Sequence, residues 1–263
     1  MADITVRKIR FSFDDVPIDF DLPEDSLRRA LPIVALSMTM PFLEPYLIRT
    51  MKVAVQRIED PVLAEDVRRF SQQEGHHYRN HADLNARFRD HFPASVAAEL
   101  RAIEDALEAD YQRFTHEKSL RFNLAYAEGF EAMTCAGALA AAEHGGFDGV
   151  PGGPIWAWHM AEEIEHRTVA FDVYDRLVGS HVYRLLRGTW SQWHYVSYIA
   201  RFGRCFAAAL GTGFRAPPGD ALRRASLRNL ARTWSPRYHP GRIPMPEGVG
   251  ALLAAYTEQA SLS

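Results

Sequence analysis

The chain has 263 residues, which is enough for one large domain or two small ones. Hydrophobic residues make up 47% of it and charged residues 24%, proportions that are typical of a folded soluble protein. The formal net charge of −3 provides no field that would draw the chain to nucleic acid, so we expect no nucleic-acid partner.

The order of predicted elements is an extended arm followed by helices. Residues 1–23 alternate apolar and charged side chains, which predicts an extended arm or one edge strand. From about Glu24 the apolar period becomes helical and largely stays so. Strand and hairpin signals are nearly absent. The pattern therefore predicts an all-α protein, with helices near 24–40, 43–59, 61–90, 94–117, 118–144, 154–178, 181–212, 219–233 and 247–260, and with Pro/Gly-rich breaks at 144–154, 214–218 and 234–246.

Cysteine content and hydropathy indicate a cytoplasmic protein. Cys135 and Cys205 are too few for a disulfide framework or a cysteine zinc site, and both are interpreted as reduced thiols. The N-terminal sequence lacks the apolar core of a signal peptide. The longest uncharged run, residues 30–43, has 14 residues, fewer than the about 20 apolar residues that a membrane span needs. We therefore expect no membrane span.

The most informative motif is His159-x-x-x-Glu163-x-x-His166, which lies in the predicted helix 154–178. At 3.6 residues per turn, the three side chains stay within roughly 60° of the helix circumference. They occupy positions where a core-facing helix would normally carry Leu or Val, and burial without partners would be costly. Glu165 projects from roughly the opposite side, so Glu163 is the preferred metal ligand, with Glu162 in reserve. A bound cation would provide the partner that these three buried side chains need.

A second helix repeats the Glu-x-x-His spacing as Glu74-Gly-His-His77. Both side chains interrupt the middle of an apolar helical stripe, and His81 continues the same face by one turn. His81 is either a further ligand or an outer imidazole that hydrogen-bonds a ligand. His76 points about 100° away from His77 and is therefore not a candidate ligand.

Two more helices carry lone carboxylates on their inner faces. Glu131 shares a face with small and apolar residues, and Glu128, about 60° to one side, is the reserve candidate. Glu44 shares a face with apolar residues of the helix 43–59. Because Pro45 disfavours helical geometry in the preceding residue, Glu44 is expected at a kink or helix start. That position leaves open whether its carboxylate points inward or outward.

Together these residues match the ligand pattern of di-metal carboxylate bundles, in which two helices supply one Glu each and two supply Glu-x-x-His. Four carboxylates neutralise two divalent cations. Oxygen-rich ligands with a few imidazoles and no thiolate favour iron, with manganese or a mixed pair as alternatives, over zinc. His159 is interpreted as an additional ligand on the metal of Glu163 and His166, or else as an outer imidazole. The competing interpretation is a set of solvated or salt-bridged side chains.

Three segments resemble a known bacterial family called "predicted metal-dependent hydrolase", which belongs to the ferritin-like superfamily: SQQEGHHYRNHADLN, EGFEAMT and WHMAEEIEHRTVAFDVY. The resemblance covers roughly residues 10–215. It implies a ferritin-like four-helix bundle with extra N- and C-terminal helices, and a di-metal centre at Glu44, Glu74, His77, Glu131, His159, Glu163 and His166. The motif around His159 is also similar to that of di-iron arylamine N-oxygenases, in which the additional His is a ligand. We expect an arm at 1–23, the di-metal bundle at 24–215 and a helical extension packed on it at 216–263.

Three classes of function compete. The preferred class is a di-iron oxygenase or oxidase that activates O2 to oxidise a small apolar or amine substrate. The first alternative is a di-metal hydrolase that uses a metal-bound hydroxide, and the second is a non-enzymatic metal-binding protein. An oxygenase would need an external electron donor, such as a ferredoxin or flavoprotein, because the chain has no dinucleotide motif and no cysteine cluster.

The aromatic and arginine-rich stretch 179–215 leaves its own alternatives open. It is interpreted as a helix packed across the bundle, in preference to one that rests on a membrane surface. A helix that lines an apolar substrate pocket is a further reading. A homodimer is also left open.

Overall fold

The computed structural model describes residues 4–14, 16, 18–147, 149–215 and 220–262. Within these ranges the chain forms α-helices and no strand, so the prediction of an all-α protein is confirmed. The helices are α1 Glu24–Ser37, α2 Met40–Ala54, α3 Pro61–His91, α4 Ala94–Glu117, α5 Leu120–His144, α6 Ile155–Glu165, α7 Val169–Leu177, α8 His181–Ala209, α9 Ala221–Thr233 and α10 Val249–Leu262. Residues 1–3, 15 and 17 of the predicted arm, residue 148, residues 216–218 of a predicted connector, residue 219 at the predicted start of α9, and residue 263 lie outside the described residues.

Several helices begin where the sequence supplies an N-cap. The Asp60 carboxylate accepts hydrogen bonds from the backbone N–H groups of Val62 and Leu63, and Pro61 occupies the first position of α3. Ser119 caps α5 and Ser180 caps α8 in the same way. These caps satisfy backbone donors that have no partner within the helix, and they fix where the long helices start.

The predicted helix 154–178 is interrupted in the structure. Helix α6 ends at Glu165, and α7 begins at Val169. Between them, Arg167 donates hydrogen bonds to the carbonyl oxygens of Ile164, Pro240 and Ile243. The prediction of one continuous helix was therefore wrong, because a contact with residues more than 70 positions away accompanies a break that local periodicity does not encode.

Helix α5 lies at the centre of the packing and contacts α2, α6, α7, α8 and α9. Helix α2 also packs on α3 and α4. The close approach of α5 to α8 requires glycine, because a Cβ on Gly129 would lie 2.4 Å from the Cα of Gly188. Four of these packed segments, α2, α3, α5 and α6, carry all the predicted ligands except His166, which directly follows α6, and they bring the ligand atoms close together.

The N-terminal arm is extended and fastened along α3. The Asn80 side chain accepts a hydrogen bond from the Phe11 backbone N–H and donates one to the Ile9 carbonyl. Ile4, Ile9, Phe11 and Phe13 are buried in the same hydrophobic core as the helices. The edge-strand alternative has no counterpart in the described part of the arm. The division into arm, bundle and C-terminal extension stays a prediction.

Within the described ranges, no single helix combines the length and apolar character needed to cross a membrane. Helix α1 and the helical stretch Met40–Arg57, which meet at a bend of 43°, reach that length and composition only when they are taken as a pair.

Candidate metal centre

The structure brings all the sequence-predicted ligands together in the interior of the bundle. Each of them is at least nine-tenths buried, although they come from four separate helices and the residue that follows α6. Their ligand atoms form three overlapping groups, and within each group the atoms lie within 4.8 Å of one another: Glu44 with His77 and His159, Glu74 with Glu131 and His166, and Glu74 with His77 and Glu163.

One half of the site is centred on His166. Its Nε2 atom lies 3.4 Å from Glu74 Oε1, 3.5 Å from Glu131 Oε2 and 3.6 Å from Glu163 Oε1. These separations are too long for good hydrogen bonds. They suit atoms that share one cation, since nitrogen and oxygen ligands each lie about 2.0–2.2 Å from a metal such as zinc.

The other half contains Glu44, His77 and His159. His159 Nε2 lies 3.6 Å from Glu44 Oε1 and 3.0 Å from Glu163 Oε1. The His77 and His159 rings lie with their centroids 4.1 Å apart. The sequence predicts His159 on the metal of Glu163 and His166, whereas the structure groups it with Glu44 and His77. The direction of side chains on one helix cannot predict the contacts of His159 with Glu44 and His77, because these two residues lie on other helices.

Buried polar atoms without a hydrogen-bond partner are concentrated at the candidate metal centre. Among the described residues, twelve buried side-chain nitrogen or oxygen atoms have no hydrogen-bond partner, and eight of them belong to the predicted ligands. They are both carboxylate oxygens of Glu44 and of Glu74, Glu131 Oε1, Glu163 Oε2, His77 Nδ1 and His166 Nε2. Each buried polar atom left unsatisfied costs about 1–3 kcal/mol. A cation-binding site explains why so many occur together, and the residues present fit a pair of metal ions.

The hydrogen-bond network beyond His159 engages its Nδ1 atom, so that Nε2, which lies 3.0 Å from Glu163 Oε1, is the atom available to a metal. The Asn85 amide nitrogen donates to the Ser37 carbonyl, so Asn85 Oδ1 accepts from the Ser37 hydroxyl. Ser37 Oγ then accepts from His81 Nδ1, and His81 Nε2 accepts from His159 Nδ1. In the neutral, metal-binding form of His159 the proton would therefore lie on Nδ1, and Nε2 would carry the lone pair in place of its 3.0 Å contact with Glu163 Oε1. His81 acts as an outer imidazole that sets this tautomer.

His77 and His166 are oriented in a similar way. His77 Nε2 donates to Glu162 Oε2 at 2.9 Å, which leaves Nδ1 facing the site. His166 Nδ1 donates to Gln73 Oε1 at 2.9 Å, which leaves Nε2 facing the site. Metal-bound histidines almost always donate their other N–H to such a partner. The three imidazoles therefore present lone pairs to the centre, and the reserve residue Glu162 lies behind His77.

Sequence reasoning missed two residues that support this arrangement, Arg7 and Gln73, and set aside a third, Glu165. Arg7 of the arm contacts Glu162 at 3.1 Å and Glu165 at 2.8 Å, and Gln73 donates to Glu165 at 2.7 Å. Glu165, expected on the side away from the site, is buried through these contacts. One signal was present in the sequence, because Arg7 interrupts the apolar alternation of the arm.

The two open questions about carboxylates have clear structural answers. Glu128 accepts a hydrogen bond from Arg184 of α8 at 2.8 Å and does not join the site, whereas Glu131 does. Pro45 lies inside α2, near its start, and the preceding Glu44 is only 1% exposed and directed into the site.

Electrostatics show that the carboxylates repel one another when no cation is present. Burial, followed by the charges of Glu74, Glu163 and Glu131, raises the pKa of Glu44 well above its usual value. Burial and the Glu163 charge raise the pKa of Glu131 to about 8. Burial also opposes ionisation of Glu163, but contacts with His159 and His166 hold its pKa well below the usual range. Without metal ions, protons must neutralise part of this charge.

An apolar cavity of about 290 Å³ reaches the site from one side. His159 and Glu163 line its inner end, and Tyr195 and Ile199 of α8 form part of its wall. Met133, Ala138, Met160, Ile33 and Leu36 contribute further apolar surface. Part of α8 therefore lines a pocket, as one reading of the sequence stretch 179–215 expects.

Comparisons with known proteins place the chain in one family. The sequence profile of the family described as "Predicted metal-dependent hydrolase" matches residues 5–243, and the chain belongs to that family. No curated protein and no solved structure matches the chain. The family description names a metal-dependent enzyme, and the buried Glu and His groups are able to hold metal ions.

Proposed function

We propose that this family member is a di-iron oxygenase or oxidase that uses O2 to oxidise a small apolar or amine substrate. One observation carries the proposal. Eight unpaired ligand atoms of carboxylates and imidazoles lie together inside the bundle, and one of the residues that supply them, Glu163, also lines the apolar cavity. A ferritin-like bundle, as implied by the sequence resemblance, is part of the same proposal.

The donor set supports iron, with manganese or a mixed pair as the alternative. Four carboxylates carry the charge needed to balance two divalent ions, and the remaining ligands are imidazoles. Cys135 lies on α5 near Glu131, but burial and the charge of Glu163 raise the pKa of its thiol to about 12. A neutral thiol is a poor metal ligand. A site rich in oxygen ligands and without thiolate favours iron or manganese over zinc.

The residues divide naturally between two ions. Glu44, His77 and His159 would hold one of them, and Glu131 and His166 the other. Glu74 and Glu163 lie between these sets, since each has atoms close to imidazoles of both. When bound, the iron pair would supply the electrons and the binding position for the reduction of O2.

The surrounding side chains orient the ligands and exclude water. His81, Glu162 and Gln73 hold the three imidazoles in metal-binding tautomers. The apolar wall of the cavity favours a substrate with little charge, and the carboxylate of Glu163 at its inner end could accept a hydrogen bond from an amine. The electrons for each turnover would come from an external donor, which we propose to be a ferredoxin or a flavoprotein.

The test is metal analysis followed by reaction with oxygen. Protein purified without added metal should contain close to two iron ions per chain. The iron(II) form, prepared anaerobically, should consume oxygen and show a transient visible absorption band when it is mixed with O2. His159→Ala should change the yield or lifetime of the band. Glu128→Gln, a carboxylate outside the site, is the matched control and should leave the band unchanged.

The family description favours a second candidate, a di-metal hydrolase. If the protein is a di-metal hydrolase, its zinc- or manganese-loaded form should cleave a model ester such as p-nitrophenyl acetate without oxygen. Ester cleavage by those forms, together with an iron(II) form that is inert to O2, would replace the oxygenase proposal with this one. A protein that binds metal but does neither would be a metal-binding protein, for which the apolar cavity has no evident use.

A further inference from the structure

A second cavity, of about 340 Å³, lies on the face of α5 opposite the apolar cavity. Its floor is formed by α5, and its rim is formed by the end of α9 and the segment that follows it. We refer to it as the arginine cavity, because Arg232, Arg237 and Arg242 line it. No Asp or Glu is among the described residues that line it.

The three arginines have no carboxylate partner within the described part of the chain. Arg232 donates to the Asn229 side chain at 3.3 Å, and Arg242 donates to the Arg237 carbonyl at 3.2 Å. The remaining cationic candidate on the rim, His239, lies 3.3 Å from Asp172. The protein has 33 acidic and 30 basic residues, so the two types are almost equally common. A cavity whose described lining contains three arginines and no acidic residue therefore has an unusual charge composition. Its field favours an anion.

The backbone that presents these arginines is held in place from two sides. Arg184, which is 6% exposed, donates to the Thr233 carbonyl at 2.9 Å while it pairs with Glu128. Arg167 donates to the Ile243 carbonyl at 2.9 Å and to the Pro240 carbonyl at 3.3 Å. These contacts fix the segment 233–243 at both ends. The cavity is therefore preformed, as small-molecule sites usually are.

The floor of the cavity is apolar. Ala132, Cys135, Ala136 and Leu139 come from consecutive turns of α5 and supply no charged group. A ligand that fits must combine an anionic end with a compact apolar body. Arginine matches a carboxylate particularly well, because its planar guanidinium donates two parallel hydrogen bonds.

We infer that the arginine cavity is a binding site for a small organic carboxylate, with the carboxylate held by Arg237 and Arg242 and the apolar part resting on α5. This site differs from the apolar cavity, which ends at His159 and Glu163. The inference does not depend on the metal or on the reaction at the metal centre. A failure of either proposal leaves the other intact.

The test is isothermal titration calorimetry of the full-length protein with benzoate, at constant ionic strength with chloride as the balancing anion. Benzoate should bind at one site per chain. The double variant Arg237→Ala/Arg242→Ala should lower its affinity at least tenfold. The double variant Arg57→Ala/Arg87→Ala removes two exposed arginines that do not line the cavity, and it should bind benzoate as the unmodified protein does.

Two further probes separate the charged and apolar parts of the site. Benzyl alcohol, which lacks the charge, should bind at least tenfold more weakly than benzoate. Ala136→Phe should fill the floor and also weaken benzoate binding, although it removes no charge. Equal losses in both double arginine variants would overturn the inference. Binding of inorganic phosphate at least as tight as that of benzoate would overturn the assignment to an organic carboxylate.

Discussion

Arg7 provides the sharpest test of how the N-terminal arm supports the metal centre. Its guanidinium contacts the Glu162 and Glu165 carboxylates, and all three side chains are at most 7% exposed. Arg7→Ala would leave two buried carboxylates without their cationic partner. Removing one member of a buried ion pair typically costs about 3–5 kcal/mol. We expect a loss of that size in the free energy of unfolding.

Arg10, on the same arm, is the matched control. It pairs with Asp83 at 3.2 Å, but the two side chains are 83% and 44% exposed. Exposed ion pairs contribute about 0–1 kcal/mol, so Arg10→Ala should change stability little. Urea unfolding of the metal-free proteins measures both changes. For a domain of this size, the loss expected for Arg7→Ala corresponds to a fall in Tm on the order of 6–20 °C.

Metal binding gives an independent measure of the same contact. Arg7 holds Glu162, which accepts the hydrogen bond that orients His77. Loss of such an outer partner typically lowers metal affinity about 10–100-fold. Arg7→Lys keeps the positive charge but not the forked geometry of the guanidinium, so its loss of metal affinity should lie between those of the unmodified protein and Arg7→Ala. If Arg7→Ala were within 1 kcal/mol of Arg10→Ala and bound metal normally, the proposed support of the centre by the arm would be wrong.

Three other predictions concern the site and its cavity. Glu131→Gln should lose metal while Glu128→Gln retains it, as measured by metal content after purification; the reverse result would place the wrong face of α5 at the site. Between pH 7 and 9 the metal-free protein should lose stability as the pH rises, by about 1.4 kcal/mol per pH unit for each proton involved. The folded-state pKa values of Glu131, about 8, and His77, about 9, lie above their ordinary values of 4.5 and 6.5, so the folded state holds protons that the unfolded state has released. Urea unfolding across this range should show the decline in metal-free protein only, and rising stability would contradict it. Ala138→Phe should fill part of the apolar cavity and weaken calorimetric binding of aniline at least tenfold at unchanged metal content; unaltered binding would show that aniline does not enter there.

The sequence by itself was sufficient for the helical character and for choosing the Glu and His residues that the structure brings together. Helical periodicity places Glu74 with His77, and Glu163 with His166, on single helix faces. The same argument distinguishes Glu131 from Glu128, and the structure indeed directs only Glu131 to the site and pairs Glu128 with Arg184. Local spacing determines these directions, because successive side chains on one helix rotate by a constant angle.

Only the tertiary structure decided which atoms meet. It placed His159 beside Glu44 and His77, directed Glu44 inward despite Pro45, and ended α6 just before His166. It also brought Arg7 to Glu162 and Glu165, more than 150 positions away along the chain. Helical periodicity describes one segment at a time. The distances between segments depend on how their apolar faces pack together, and no pattern within a single segment encodes them.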